Sequence, residues 1–271
     1  MSDAPRVIQE TYTEVLPGVY SGVPNEEYHS LDGYSHTNLV NIEKSISTYN
    51  WRKIHQEVTD AMIMGSAFHD LCLLPDEYKN TYLVSPVKGK NTKKYKQMVE
   101  DNPDKIILTP GVADTIHYMR DSMYKNPSMR EHLEAKTNLR EVSIWARCNV
   151  TGLLRKVRPD MIHNGFIIDL KSSISPTPQG FRHSIYEYKY FIQSPYYQDT
   201  VRLIGLDIKD FLFFVVGKTP PYLTGIYNIN DELIEEGRAR YLAALSKMER
   251  YLIRGEGAWD GLEQGREVVT L

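Results

Sequence analysis

The sequence predicts a mixed α/β or α+β fold in which helices flank a central sheet. Apolar residues recur at helical spacing through much of the first half of the chain. From Leu139 the pattern changes to the alternation that is typical of half-buried strands. Helical spacing returns after Pro178, and a last amphipathic helix is predicted from about Asp231 to Arg254. Helices before and after a block of strands indicate a sheet that helices cover.

Helices dominate the elements predicted in the first half. Residues 1–34 are rich in Pro, Gly and Tyr, and we predict an extended segment there. Ser35 is placed to cap a helix that runs to about Ser45, and a second helix is predicted from about Ala61 to Leu74, before Pro75. The remaining elements predicted in this half are a helix near 92–100, a strand at 105–108, a helix over 110–125 and a short helix after Pro127.

The second half holds most of the predicted strands. Two alternating runs, REVSIWARC and LLRKVRPDMI, and one compact apolar run, FIIDLKSS, each predict a strand. Two further strands are predicted in DFLFFVVG and LTGIYNI, after helices over about 178–190 and 193–203. A chain of 271 residues can bury a sizeable core as one unit. We therefore expect a single domain over 1–271, in which 231–271 forms a C-terminal helix and tail.

Charge, cysteine content and hydropathy narrow the possible classes of protein. The formal net charge of −3 is unlike that of a small sequence-reading DNA-binding domain, which carries a basic excess. Two cysteines, Cys72 and Cys148, are too few for a four-cysteine iron–sulfur cluster or zinc site. The longest apolar stretches, such as 211–216, are too short to cross a bilayer, and the first residues lack the pattern of a signal peptide. We expect a soluble cytoplasmic protein.

The segment from Val157 to Ser173 carries the most informative pattern. Asn164-Gly165 lies between two apolar runs, and both residues tolerate the positive φ that a type I′ hairpin turn requires. Such a turn would place Asp160 directly opposite Asp169, with their Cβ atoms about 4.5–5.5 Å apart. Strand alternation then puts Lys171 on the same face of the sheet as both acids.

Two opposed carboxylates repel each other unless a cation lies between them. Mg²⁺ prefers oxygen ligands from one or two carboxylates plus waters, so the pair predicts a divalent metal site. With Lys171 beside it, such a site can stabilise the charge that develops on an attacked phosphate. The alternative is a salt-bridge cluster on an exposed sheet face, because short motifs of this type recur by chance.

Four motifs occur in the order found in one nuclease superfamily. Arg158-Pro159-Asp160 followed by Asp169-Leu170-Lys171 resembles the PD…(D/E)xK signature of the PD-(D/E)xK superfamily. The segment GSAFH, which ends at His69, resembles the upstream GxxxH helix motif of RecB-like and RecE-like nucleases, and Gln193 with Tyr197 resembles their downstream QxxxY motif. The flanking segments MGSAFHDLCLLPDEY and YKYFIQSPYYQDT are similar to the RecE-type branch, exonuclease VIII. The resemblance covers roughly 20–230 and implies a restriction-endonuclease-like core.

The resemblance also implies a role for each matching residue. The metal ligands would be His69, Asp160, Asp169 and the backbone carbonyl of Leu170. Lys171 would orient or activate the attacking water, and Gln193 and Tyr197 would position the lysine or the DNA. Pro195 departs from the pattern, because a helix capped by Ser194 with Pro195 in its first turn would leave Gln193 just outside it.

The activity that the resemblance implies is that of a Mg²⁺-dependent exonuclease on linear double-stranded DNA, with Mn²⁺ as a possible substitute. Its polarity would be 5′ to 3′, its origin phage or prophage recombination, and its partner a single-strand annealing recombinase. RecE-type enzymes are toroidal tetramers, which implies a ring-like homo-oligomer here. Two other classes stay open. One is a CRISPR-adaptation or DNA-repair nuclease without an iron–sulfur cluster, and the other is a catalytically inactive DNA-binding module that keeps the nuclease fold.

Several residues admit two interpretations. A lone histidine on an apolar helix is more often a packed core residue, but the position of His69 in GSAFH favours a ligand. Glu141 would be an outer-shell acid or an ordinary charge at the edge of a strand. The tyrosines near 186–197 pack in the core for the most part, and a stacking role on DNA is open for one or two. A lysine run, if it is not merely solvated, would track DNA phosphates from the channel of a ring: Lys88, Lys90, Lys93, Lys94 and Lys96.

Overall fold

The computed structural model of the chain describes residues 6–7, 15–55 and 57–254. The strands in these ranges are β1 (Arg6–Val7), β2 (Gly18–Ser21), β3 (Tyr82–Val84), β4 (Ile106–Leu108), β5 (Leu139–Arg140), β6 (Ser143–Arg147), β7 (Leu154–Val157), β8 (Met161–His163), β9 (Phe166–Ser173), β10 (Asp210–Gly217) and β11 (Thr224–Tyr227). The helices are α1 (Asn25–Ser30), α2 (His36–Lys44), α3 (Ile46–Ile54), α4 (Asp60–Leu73), α5 (Pro75–Thr81), α6 (Lys93–Asp101), α7 (Pro110–Lys125), α8 (Pro127–Glu134), α9 (Pro178–Glu187), α10 (Tyr190–Leu203) and α11 (Asp231–Arg254).

A five-stranded mixed sheet with the order β11-β10-β9-β8-β5 carries the predicted site. β9 and β10 are parallel, and the other neighbouring strands pair in antiparallel fashion. Parallel neighbours need a long crossover, and α9 and α10 supply it. The mixed sheet flanked by helices confirms the fold class that the sequence predicts.

Both faces of this sheet are buried, because alternate residues of β10 enter different hydrophobic clusters. Phe211 and Phe213 pack on the side of α10 and α11, whereas Phe214 and Val216 pack on the side of α4 and α7. A strand covered on both faces is expected to be apolar throughout, as DFLFFVVG is. The charged residues of β9 therefore stand out against an apolar surround.

A second sheet, β1-β2-β6-β7, lies beside the first. Its residue Trp145 packs against Tyr20 and Tyr28. The first 34 residues were predicted to be extended, and this is wrong for Asn25–Ser30, which form α1 after Pro24 with Glu26 and Glu27 in the first turn. Residues 1–5 and 8–14 of that segment, and the predicted tail beyond Arg254, lie outside the described residues.

Local end signals in the sequence locate several helices well. Ser35 caps α2 through a capping box with Asn38, and the ranges predicted for α7 and α11 agree with the structure. Besides α1, the helices α3 and α5 were not predicted. Pro75 does not only end the preceding helix but also begins α5, where its missing N–H costs no hydrogen bond. No helix among the described residues is both long and apolar enough to span a membrane.

The run LLRKVRPDMI was predicted as one strand and forms two. β7 pairs with β6 in the second sheet, and β8 pairs with β9 in the five-stranded sheet. The break falls at Arg158-Pro159-Asp160, where proline has no N–H for a ladder hydrogen bond. Asp160 therefore lies where the chain passes from one sheet to the other.

The start of α10 also differs from the prediction. The helix begins at Tyr190, so Ser194 is not its cap, Pro195 lies inside it and Gln193 belongs to it. Pro195 cannot donate to the carbonyl of Phe191 one turn earlier. Gly237 of α11 packs at that place, since a Cβ atom added there would lie 1.9 Å from the Phe191 oxygen.

Candidate active site

The β8–β9 hairpin has the turn that the sequence predicts. Asn164 and Gly165 adopt φ values of 52° and 82°, the left-handed region that a type I′ turn needs at both positions. The register is also as predicted, with His163 opposite Phe166 and Met161 opposite Ile168. The ladder ends at that last pair, so β9 continues beyond it without β8.

Beyond the end of the ladder, the side chain of Asp160 forms a hydrogen bond with the backbone of β9. Its Oδ2 accepts a hydrogen bond of 2.6 Å from the backbone N–H of Leu170, in place of a strand carbonyl. The carboxylate therefore does not simply face Asp169 across the hairpin but is fixed to the residue after it. Leu170 itself is fully buried.

His69 reaches Asp160 from α4. Its Nδ1 lies 3.4 Å from Oδ2 of Asp160, and the imidazole is partly buried. Burial opposes protonation, but the Asp160 carboxylate raises the pKa of His69 to about 9. Burial alone would likewise raise the pKa of Asp160, whereas His69, Lys171 and the Leu170 N–H lower it below its ordinary value. The fold thus brings together His69 and Asp160, which are far apart in the sequence.

Glu141 joins this pair. Ligand atoms of His69, Glu141 and Asp160 all lie within 4.8 Å of one another. Glu141 adopts a left-handed φ of 48°, and its N–H donates to the Asp160 carbonyl at 3.2 Å. Such a conformation is uncommon for glutamate and often occurs at functional sites. Burial, together with the Asp160 charge, raises the pKa of Glu141 to about 8.

Asp169 and Lys171 form a second pair on β9. Strand alternation predicts their proximity, and Lys171 Nζ lies 2.5 Å from Asp169 Oδ2. Gln193 of α10 donates to Asp169 Oδ1 at 2.7 Å. Burial raises the pKa of Asp169 and the Asp160 charge adds to it, while Lys171 opposes both. Within the described residues, Asp169 lies outside the cluster formed by His69, Glu141 and Asp160.

Two tyrosines of α10 belong to this region, and one of them contacts Lys171. The Lys171 ammonium lies 4.7 Å from the centre of the Tyr190 ring, a cation–π distance. Tyr197 follows Gln193 by one helical turn, and burial raises its pKa well above the ordinary value. The resemblance gave Gln193 and Tyr197 the task of positioning the lysine or the DNA. For Tyr190 the sequence left open only core packing or stacking on DNA, and it gave no sign of a contact with Lys171.

The donor set suits a divalent cation. One imidazole and two carboxylates converge, and hard divalent ions accept oxygen and nitrogen ligands of this kind. In addition, Asp169 Oδ2 is buried without a well-directed hydrogen bond, despite the short distance to Lys171. A buried carboxylate oxygen in that state is available as a ligand. The position of Glu141 favours its role as a direct ligand over that of an ordinary strand-edge charge.

The lysine segment does not join this cluster. Lys88, Lys90, Lys93, Lys94 and Lys96 are exposed, in the loop before α6 and on α6 itself. Lys90 pairs with Asp60 at 2.6 Å. Asp60 and His69 lie at opposite ends of α4, about 13 Å apart along the helix axis. The segment is thus placed at the far end of the helix that brings His69 to the site.

Comparison with known proteins identifies the fold family. The profile of a family described as "PDDEXK-like domain of unknown function (DUF3799)" matches residues 37–256. No curated protein matches the chain significantly. A crystal structure from Eubacterium rectale, described as that of a "putative exonuclease", has a TM-score of 0.60 and 16% sequence identity, and covers 92% of this chain and 94% of that chain. At this identity the likeness shows a shared fold.

Proposed function

The chain belongs to the PDDEXK-like family DUF3799 of the PD-(D/E)xK superfamily, and from this premise we propose that it is a metal-dependent exodeoxyribonuclease that degrades linear double-stranded DNA. The observation that carries the proposal is the convergence of His69, Glu141 and Asp160 beside the Asp169–Lys171 pair. A fold that had lost its activity would have no reason to keep these groups buried together, because buried charges without a task are costly.

Each group has a definable task at the scissile phosphate. When bound by His69, Glu141, Asp160 and Asp169, a divalent cation supplies Lewis acidity toward phosphate oxygens and water. Lys171 presents a fixed positive charge toward the negative charge that develops during attack. Asp169 and the Tyr190 ring hold its ammonium in place, and Gln193 holds Asp169 from the other side.

The finer features of the proposal rest on the motifs. GSAFH, the acidic hairpin, and Gln193 with Tyr197 occur in the order of RecE-type exonucleases. That order supports 5′ to 3′ polarity, Mg²⁺ as the natural ion with Mn²⁺ as a substitute, a cytoplasmic role in phage-type recombination and a single-strand annealing protein as partner. The description of the Eubacterium rectale protein as an exonuclease agrees with action at DNA ends.

Incubation with two DNA substrates tests the activity and its need for an end. Purified protein in Mg²⁺ or Mn²⁺ should release nucleotides from end-labelled linear duplex and leave covalently closed circular duplex intact. Labels at the 5′ and 3′ ends, followed in parallel, report polarity. Cleavage of the circle would show that the protein is an endonuclease, as a repair-type enzyme would be, and would contradict the proposed exonuclease activity.

A titration separates the enzyme from an inactive DNA-binding module of the same fold. Calorimetry with Mn²⁺ should show stoichiometric binding that the Asp160→Asn variant weakens. A protein that binds DNA but neither cleaves it nor binds Mn²⁺ at this site would be the inactive module.

A further inference from the structure

A cavity of about 440 Å³ opens beside Lys171 and extends away from the metal-ligand cluster. We call it the hydroxyl pocket, because Ser172, Ser175 and Thr177 line it together with His183, Tyr188 and Lys218. It is not part of the donor set formed by His69, Glu141 and Asp160. None of the roles proposed above uses it.

The topology of the sheet creates the hydroxyl pocket. β9 and β10 run parallel and end together, with Ser173 opposite Gly217. The backbone N–H of Lys218 donates to the Ser173 carbonyl at 2.9 Å, so the segments that leave the two strands stay side by side. Crevices outside the carboxyl ends of neighbouring parallel strands are the usual ligand sites of such sheets.

The walls of the pocket offer one cation and several neutral donors. Lys218 forms no ion pair with any residue in the described part of the chain. The hydroxyl groups of Ser172, Ser175 and Thr177 can donate to phosphate oxygens. Glu187 also lines the pocket and is the residue there that would oppose an anion. The pocket therefore suits a diester backbone with one close phosphate more than a compact polyanion.

Aromatic rings connect the pocket to the catalytic lysine. Tyr188 is 54% exposed, and its ring centre lies 5.6 Å from that of Tyr190. Tyr190 in turn lies under the Lys171 ammonium. Lys189, between the two tyrosines, has a left-handed φ of 58°, a conformation that non-glycine residues adopt infrequently. The two rings thus form a continuous aromatic surface from Lys171 to the solvent-exposed wall of the pocket.

We infer that the hydroxyl pocket holds an unpaired segment of the DNA strand next to the scissile phosphate, with a phosphate at Lys218 and a base on Tyr188. Exposed tyrosines beside a cation are the elements with which proteins bind single strands. The free face of Tyr188 offers stacking to a base that has left the duplex, whereas a paired base inside a duplex is already stacked. The inference rests on the proposed nuclease function and adds that the enzyme separates the end of its substrate.

Binding in EDTA tests the pocket without cleavage. Fluorescence anisotropy is measured with a labelled 12-nucleotide oligodeoxythymidine, a blunt duplex and a duplex with a frayed end. Tyr188→Ala should weaken binding of the oligonucleotide and of the frayed duplex by about fivefold or more, the loss of one stacked base. Tyr188→Phe should restore it. Lys218→Ala should lower the salt dependence by about 0.7 log units, the value for one single-strand phosphate contact.

The helix α9 offers matched controls. Tyr186 is 51% exposed but does not line the pocket, so Tyr186→Ala should leave binding unchanged. Arg182→Ala is the corresponding control for the loss of one cation, because Arg182 lies on α9 but does not line the hydroxyl pocket. Glu187→Gln should strengthen binding, because it removes the acid that faces the phosphate. Melting temperatures and Mn²⁺ titrations verify that all variants stay folded.

Kinetics supply a second readout that a structural role would not move. Tyr188→Ala should raise KM on blunt linear duplex and leave kcat near the wild-type value, because it removes binding shared by ground state and transition state. Equal effects of Tyr188→Ala and Tyr186→Ala would overturn the inference. A wild-type protein that binds the oligonucleotide through Tyr188 but cleaves no DNA would instead overturn the proposed function and keep the pocket.

Discussion

Lys171 is the residue whose removal should be most informative. Asp169→Asn or Lys171→Ala should lower the rate of DNA cleavage by at least about a hundredfold, the usual effect of losing one electrostatic stabiliser. Asp169→Asn keeps the shape of the side chain, so folding should survive, as thermal melts would verify. Lys209→Ala, an exposed lysine beside the hairpin turn, is the control that should stay fully active. Near-normal turnover of Lys171→Ala would contradict the assignment.

His69 and Glu141 should reveal themselves in metal affinity. His69→Ala and Glu141→Gln should each weaken Mn²⁺ binding by about tenfold or more, because each removes a converging donor. Excess Mn²⁺ should restore part of the activity of His69→Ala, since Mn²⁺ tolerates imperfect nitrogen–oxygen sites better than Mg²⁺. Calorimetry measures the affinity. Glu134→Gln, at an exposed acid at the end of α8, serves as the matched control. Unchanged Mn²⁺ affinity in His69→Ala would mean that His69 is a packed core residue and not a metal ligand.

The residues of the site differ in how far the sequence could predict them. The approach of Asp160 to the strand of Asp169 and Lys171 follows from one local turn, because Asn164-Gly165 fixes the register as far as Met161 and Ile168. The bond of Asp160 to the Leu170 N–H, beyond that ladder, did not follow from it. Glu141 could only be left open, since its place depends on a left-handed backbone and on the packing of separate strands. The contact of His69 with Asp160 is long-range and came from the resemblance to a motif, not from spacing.

At the scale of elements, the packing of α10 against α11 should depend on Gly237. A methyl group at that position would lie 1.9 Å from the Phe191 oxygen and 2.9 Å from Pro195 Cγ. Gly237→Ala should therefore lower the free energy of unfolding by about 1–3 kcal/mol through overpacking. Gly65→Ala is the control, because nothing lies within 4 Å of its added Cβ and alanine favours the helix. Urea unfolding measures the free energy of unfolding of both variants. A Gly237→Ala protein with the wild-type free energy of unfolding would contradict the close contact.

Asp199 should make the same helix pair sensitive to acid. Burial would raise its pKa, but hydrogen bonds from Arg238 and Tyr241 lower it below the ordinary value. A depressed folded pKa means that the stabilisation is present above the unfolded pKa of about 3.9 and is lost as pH falls through the folded value. Asp199→Asn should cost on the order of 1.5–3 kcal/mol at pH 7.

The difference in stability between wild type and Asp199→Asn should then narrow below about pH 4. Denaturant titrations at several pH values measure it. Asp207→Asn, at an exposed acid just after α10, is the control and should be as stable as the wild type at pH 7. A gap that stays constant with pH would mean that the charge of Asp199 contributes nothing.

Elements with local end signals were predicted well, and those that tertiary packing decides were not. Proline at the first turn marks α7, and the capping box of Ser35 marks α2. The helix α10 has no side-chain cap and contains Pro195, so the capping and proline signals in the sequence do not predict its start at Tyr190. Packing against Gly237 and the hydrogen bond from Gln193 to Asp169 accompany that start instead.

The whole molecule raises the question of how a chain with net charge −3 holds DNA. We propose a ring-like homo-oligomer in which the five exposed lysines between Lys88 and Lys96 face a common channel. Replacing Lys90, Lys93 and Lys94 with alanine should lower the salt dependence of duplex binding by up to about 0.9 log units per lost phosphate contact. Metal binding should be unchanged, because the segment lies away from His69.

Light scattering of the wild-type protein provides the second arm of that experiment. A closed cyclic assembly is the usual form of soluble homo-oligomers, and a mass of several protomers is the expected result. A strict monomer at micromolar concentration, together with an unaltered salt dependence in the triple variant, would exclude the ring.

The direct passage of the chain from β7 to β8 also bears on when the site forms during folding, because it leaves Asp160 just outside the β8–β9 hairpin. The β8–β9 hairpin closes a short loop and can form within microseconds, so Asp160, which directly precedes β8, comes near β9 early. His69 and Glu141 arrive only when α4 and both sheets have docked, which requires slow long-range closure. A metal ion that needs all these donors binds the native state and not the hairpin. An ion bound there would therefore stabilise the completed fold, and its concentration would shift the melting temperature through mass action.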